Sequence, residues 1–117
     1  MKIIIAGGRL FSSYAILEKN CNDIISSMNN SDVEIVSGNA RGADFYGEMY
    51  AKNNKYNLKK FPANWSLYGK SAGYKRNEQM AKYSNMLIAF WDGKSKGTKH
   101  MIDLAKKHGL IVHVINY

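Results

Sequence analysis

The stretch NMLIAFWDGKSKGT, residues 85–98, holds an apolar run, a glycine-rich polar turn and the start of a new segment in direct succession. Met86–Phe90 shows no alternation of polar and apolar side chains, so both faces of this segment are expected in a core. That is the pattern of a parallel strand covered by helices on both sides. The loop Asp92–Gly97 breaks the strand. Thr98 is expected to cap a helix that runs to His108 and stops at Gly109, a residue type that ends helices easily.

The same unit of strand, glycine turn and helix recurs on either side. Lys2–Ala6 is a buried strand of consecutive isoleucines, broken by Gly7-Gly8. Ser12 or Ser13 can cap a helix with Tyr14, Leu17, Cys21, Ile24, Ile25 and Met28 on one face, ending at Asn29-Asn30-Ser31-Asp32. Val33–Ser37 is a second strand, Gly38–Asp44 a loop, and a helix continues to about Asn53. Tyr56–Phe61 is a third strand closed by Pro62, followed by a loop over Ala63–Ser71 and a helix over about Ala72–Tyr83. Leu110–Ile115 is the last strand. The alternation predicts an α/β fold: a Rossmann-like, doubly wound parallel five-stranded sheet in the order 3-2-1-4-5. Its switch point falls between strands 1 and 4, and ligands in such sheets bind at the carboxyl ends of the strands beside it.

With 117 residues, 45% of them hydrophobic, the chain is expected to form one domain, residues 1–117, around one core. Its first residues, MKIIIAGG, are too briefly apolar for a signal peptide or a membrane span. The single cysteine, Cys21, excludes an internal disulfide and a cysteine zinc cluster, and fits a reducing, cytoplasmic setting. His100, His108 and His113 lack metal-ligand spacing, so neither a metal nor a cofactor is expected. The net charge of +8, from 17 Lys+Arg against 9 Asp+Glu, favours anionic partners without choosing among them. The lysines are dispersed along the chain, as on an ordinary solvated surface.

Four loops converge on the predicted carboxyl edge: Gly7-Gly8-Arg9, Ser37–Asp44, Phe61–Gly73 and Trp91–Thr98. A glycine in any one of them can be no more than a turn. Several on one edge, interleaved with cations, point to a phosphate-bearing ligand. Gly93–Thr98 is the strongest, because it leads into a helix whose free N–H groups and dipole attract an anion. It is not a P-loop, and Gly7-Gly8 is not a dinucleotide fingerprint. The expected binding residues are Gly8, Arg9, Ser37, Gly38, Asn39, Arg41, Gly42, Asp44, Trp65, Lys70, Arg76, Asn77, Asp92, Gly93, Ser95, Gly97 and Thr98. Arg9, Arg41 and Arg76 are phosphate forks or surface ion pairs. Trp65, Tyr68 and Trp91 stack on a base or fill the core. Glu48, Asp44 and Asp92 are the candidate acid–base residues, each with an alternative reading as a helix-end or solvated charge.

These loops resemble, in order, those of the SLOG superfamily, within its small YspA/cpYpsA-related branch of stand-alone proteins. The matching residues are Gly7-Gly8-Arg9, Ser37–Asp44, Phe61–Trp65, Gly69-Lys70 with Ala72-Gly73 and Arg76-Asn77, and Ala89–Thr98. The resemblance implies a Rossmann-like fold that binds a nucleotide or a nucleotide-derived molecule, and a homo-oligomer; where the pocket lies at a subunit interface, Trp65, Tyr68 and Arg76 are the residues expected to reach across. Relatives include lonely-guy phosphoribohydrolases and the DNA-processing protein DprA. In the lonely-guy PGGxGTxxE loop the pair Gly97-Thr98 is kept, but Met101 stands where the glutamate would be. Asn39 and Asn64 replace a Gly and an Asp expected in the branch.

Three functions follow. The first is binding of a nucleotide signal, as a sensor or as a phage-type sponge for a defence messenger such as a cyclic oligonucleotide or an ADP-ribose derivative. The second is hydrolysis of a nucleoside-phosphate N-glycosidic bond. The third is binding of single-stranded DNA.

Overall fold

The computed structural model describes residues 1–28 and 32–117. Its strands β1 (Lys2–Gly7), β2 (Glu34–Ser37), β3 (Asn57–Lys60), β4 (Met86–Trp91) and β5 (Ile111–Asn116) form one all-parallel sheet in the order β3-β2-β1-β4-β5. This is the expected topology. In β1, Ile3 and Ile4 lie opposite Ile35 and Val36 on one side and opposite Met86 and Leu87 on the other.

The absence of alternation in β1 and β4 has a direct cause. Neighbouring side chains of a strand point to opposite faces, and here each face meets its own core. Ile3, Ile5, Ile88 and Phe90 pack with Leu17, Cys21 and Tyr50 under helices α1 (Tyr14–Ser26) and α2 (Ala43–Asn53). The short exposed helix α3 (Trp65–Tyr68) follows β3, and the longer helices α4 (Ala72–Tyr83) and α5 (Lys96–Lys107) cover the other face. There Ile4, Leu87 and Ala89 pack with Met80, Met101 and Ala105. Cys21 is fully buried, and burial pushes its thiol up to about 12, so it is an inert part of the core.

The local differences from expectation follow from hydrogen bonds. Tyr56 N–H donates to Ala51 O and Leu110 N–H to Ala105 O, so both residues close helices rather than open strands. β5 extends instead to Asn116, opposite Trp91. Ser13 caps α1, its Oγ accepting from Ile16 N at 3.2 Å. The stop expected at Asn29-Asn30-Ser31 lies outside the described residues, and the described helix closes with Ser27 as its cap. The segment expected as a plain loop over Ala63–Ser71 holds α3 and a 3-10 turn at Gly69–Ser71. Asn64 caps α3 by accepting from Leu67 N at 3.0 Å. All four residues of α3 are exposed, so no apolar periodicity announces it. Ser95, not Thr98, caps α5: its backbone is extended and its Oγ accepts from Thr98 N at 3.3 Å. Among the described residues no helix is long and apolar enough to cross a membrane.

Candidate functional site

A cleft of about 420 Å3 opens at the carboxyl ends of β1 and β4, at the switch point of the sheet. The end of β1 (Gly7–Leu10), α4 residues Gly73–Asn77, the β4–α5 turn and Trp65 line it, with Met80 and Met101 among its apolar lining. A second hollow of about 410 Å3 adjoins it under the β2–α2 loop, between residues 38–41 and Pro62-Ala63. Arg9, Ala40, Trp65 and Arg76 belong to both.

The β2–α2 loop is held from three directions. Gly42 has φ +79, and a Cβ there would lie 2.3 Å from Gly8 O; only glycine lets α2 start against the Gly8–Arg9 turn. Ala43 N–H donates to Gly8 O across this contact at 3.2 Å. Ser37 Oγ donates to Glu48 Oε2 at 2.7 Å and accepts from Asn39 N at 3.0 Å. Asn39 has φ +59, a left-handed conformation that Asn tolerates better than most side chains. Ala40 N donates to Asp44 Oδ2 at 3.2 Å. From α4, Arg76 Nη1 donates to Gly38 O while its Nε donates to Asn77 Oδ1. A Cβ on Gly38 would sit 2.7 Å from both Arg76 Nη1 and Asp44 Oδ2, so a side chain there would push apart the two groups that converge on it.

Asp44 is 5% exposed. Burial pushes its carboxyl up to about 6, against the opposing pull of Arg76, the Ala40 N–H and Arg9; the Glu48 charge adds to the rise. Its Oδ1 has no hydrogen-bond partner among the described residues, although the residue lines the cleft. Burial likewise pulls Arg76 below its ordinary value, opposed by Asp44 and assisted by Arg9, but a guanidinium starts so high that it stays charged. Arg9 lies 5.9 Å from the centre of the Trp65 ring, a cation–π arrangement that leaves its N–H groups open.

The β4–α5 turn is built differently. Asp92 Oδ1 accepts from Lys94 N at 2.8 Å and Ser95 N at 2.9 Å. These two bonds, that from Ser95 first, hold the exposed Asp92 carboxyl below its usual range. The backbone donors expected to meet a phosphate at this turn are thus largely occupied by the protein's own carboxylate. Ser95 Oγ lies 2.9 Å from Thr98 Oγ1, and Trp91 Nε1 donates to Ser95 O at 3.1 Å. Asn77 Nδ2 donates to Gly97 O at 3.3 Å and lies 3.2 Å from His100 Nδ1, joining α4 to α5. Tyr74 packs edge-on against His100.

Most of the expected binding residues therefore meet. Gly8, Arg9, Asp44, Trp65, Lys70, Arg76, Asn77, Asp92, Ser95, Gly97 and Thr98 line the first cleft; Gly38, Asn39 and Arg41 line the adjoining hollow. Ser37, Gly42 and Gly93 line neither. Ser37 and Gly42 shape the loop from beneath, and Gly93 faces open space with φ +82. Of the three carboxylates considered for acid–base work, Glu48 turns to Ser37 and Lys60, the latter at 3.6 Å, and lines neither cavity. Asp92 is occupied by N–H groups, which leaves Asp44. Leu10, Tyr74, Met80 and Tyr117 also line the cleft and were not singled out in the sequence; Met101, noted there only for the glutamate it replaces, lines it too. Leu10 is 88% exposed at the mouth, and no motif marks it. Tyr117 Oη approaches Gly8, a contact made only because β5 ends beside β4. Among the described residues no group of three or more His, Cys, Asp or Glu could hold a metal ion.

A doubly wound parallel sheet with a charged cleft at its switch point defines a Rossmann-like α/β domain of the kind that takes ligands at its strand ends. The chain belongs to the YspA, cpYpsA-related SLOG family, whose model matches residues 1–68, from β1 through α3. It is 35% identical over 89 residues to the Gene 61 protein of Mycobacterium phage D29, an alignment covering 71% of this chain and 70% of that protein.

Proposed function

We propose that the chain binds a phosphate-bearing nucleotide or nucleotide-derived signal and holds it without turnover, as a sensor or a sequestering protein. The observation that carries this reading is Asp44: a carboxylate 5% exposed, with one oxygen open to a cleft that Arg9, Lys70 and Arg76 also line. Such an acceptor suits a ribose hydroxyl, and the cations suit phosphate. The cleft volume, about 420 Å3, lies in the range of small-ligand sites. Membership of the SLOG family supports a nucleotide-related ligand. Isothermal titration with adenosine mononucleotides, ADP-ribose and cyclic oligonucleotides tests it. At least one is expected to bind with Kd below about 100 μM, and Arg76→Gln is expected to weaken it tenfold or more, by about 1.4 kcal/mol. No binding at that level to any of them would remove the reading.

A second reading is favoured by the same residue. A carboxyl near 6 is suited to protonate a leaving base, which would make the chain a nucleoside-phosphate N-glycosidase with Asp44 as the acid. Chromatography of AMP after incubation with the protein decides it: free adenine that disappears in Asp44→Asn supports hydrolysis, and intact AMP rejects it.

A further inference from the structure

The hollow under the β2–α2 loop differs in kind from the main cleft. Its lining holds three arginines, Arg9, Arg41 and Arg76, and no carboxylate, whereas the main cleft mixes cations with Asp44 and Asp92. Among the described residues Arg41 makes no hydrogen bond or ion pair, and the Arg9 side chain makes no hydrogen bond: it faces the Trp65 ring and feels the charges of Asp44 and Arg76. Arg76 spends Nη1 and Nε on Gly38 O and Asn77 Oδ1, so Nη2 stays open. Three like charges facing one cavity repel one another, and Asp44, the carboxylate whose charge reaches Arg76 and Arg9, is not part of this lining. Arg9 and Arg76 stand on the boundary shared with the main cleft, so the two cavities adjoin at these side chains. The backbone beneath Arg41 is fixed: Asn39 N is bound to Ser37, Ala40 N to Asp44 and Gly38 O to Arg76. The floor is therefore preorganised, and little backbone ordering is left to oppose binding.

We propose that this hollow is a second phosphate subsite, so that the ligand is a nucleoside carrying two or more linked phosphates that crosses the Arg9–Arg76 boundary. The inference rests on the nucleotide reading above and adds the number and position of the anionic groups. The nucleoside lies in the main cleft beside Asp44. The first phosphate meets Arg9 and Arg76. The next lies beneath Arg41, whose planar donors match its oxygens. A monophosphate fills only the first position.

Titration of the full chain with AMP, ADP and inorganic pyrophosphate, on the natural protein and on Arg41→Gln, tests this. ADP is expected to bind about tenfold more tightly than AMP, and Arg41→Gln to remove that advantage while changing AMP affinity less than about twofold. Arg41 is exposed and has no hydrogen-bond or ion-pair partner among the described residues, so the variant is expected to fold; an unchanged thermal midpoint verifies it. Equal affinity for AMP and ADP overturns the proposal, as does an equal loss of both in Arg41→Gln. Pyrophosphate binding that depends on Arg41, with no binding of AMP or ADP, supports the anion subsite and rejects the nucleotide reading. Displacement of ADP by a single-stranded oligonucleotide whose affinity falls more than that of ADP in Arg41→Gln overturns the proposal in favour of a nucleic-acid backbone.

Discussion

The loops after β2 and β4 occupy equivalent places at the carboxyl edge, and both lead from a buried strand into a helix. They use their polar groups in opposite ways. After β4, Asp92 and Ser95 turn onto the backbone of their own loop, taking up Lys94, Ser95 and Thr98 N–H groups. After β2, Ser37 and Asp44 take up the Asn39 and Ala40 N–H groups, but further ties come from outside the loop: Glu48, a turn into α2, holds Ser37, and Arg76 of α4 holds Gly38. The first loop spends its own carboxylate on its N–H groups; the second is tied more from its surroundings and keeps Asp44 Oδ1 and Arg41 open. A loop that satisfies its own donors is a turn, while one satisfied from outside can keep functional groups unspent.

Glycine replacement breaks this comparison most directly. Gly42 and Gly93 have nearly the same φ, +79 and +82, but a Cβ on Gly42 would strike Gly8 O whereas one on Gly93 meets nothing within 4 Å. Gly42→Ala is therefore expected to cost about 3 kcal/mol or more, strain plus collision, and Gly93→Ala about 1 kcal/mol, strain alone. Urea unfolding of both variants measures it; equal losses would mean that the β2–α2 loop is no more constrained than its counterpart.

The next effect is on Asp44. Its carboxyl is raised in the folded protein to about 6, above the value near 3.9 of an unfolded chain. Below about pH 4 both states are protonated and the stability is fully present. Between about pH 4 and pH 6 the unfolded state loses its proton first, so stability falls as pH rises, by on the order of 3 kcal/mol. Asp44→Asn keeps the acceptor for Ala40 N without the charge. It is expected to be more stable than the natural protein above pH 6 and nearly equal to it at pH 4. A difference that does not change with pH would show that the carboxyl is not held high by burial.

The smallest effect is at Gly97, in the first turn of α5, where a Cβ would meet nothing within 4 Å. Gly97→Ala is expected to raise stability by about 0.5 kcal/mol. The same methyl group narrows a cleft that Gly97 lines, so affinity for a nucleotide should fall as the melting temperature rises.

The sheet was legible because its information is local. Ile3–Ile5 and Met86–Phe90 state by their unbroken apolarity that both faces are covered, and the alternation with helices leaves little choice of topology. The edge on which the ligand residues gather followed from that topology. The ranking within the edge did not. Gly93–Thr98 has the sequence of an anion turn, but Asp92, at its entrance, accepts the N–H groups that an anion would use. Asp44 looked like an ordinary first-turn acid; its burial depends on α4 delivering Arg76 from 32 positions away. Glu48, placed with Asp44 by helical spacing, lies one turn further along α2, and that turn carries it to Ser37 and Lys60 rather than the cleft. Long-range meetings of this kind leave no periodic trace in the chain.

The three ties that fix the β2–α2 loop are made by side chains at Ser37, Asp44 and Arg76, and by the backbone of Gly38, Asn39 and Ala40. None of them uses the side chain of Ala40 or Arg41. In evolutionary terms the foundation and the façade are separable. On the proposed reading, substitutions at positions 40 and 41 would rewrite which molecule is accepted while the foundation stays as it is, and a lineage under pressure to follow a changing ligand would do so one rim residue at a time.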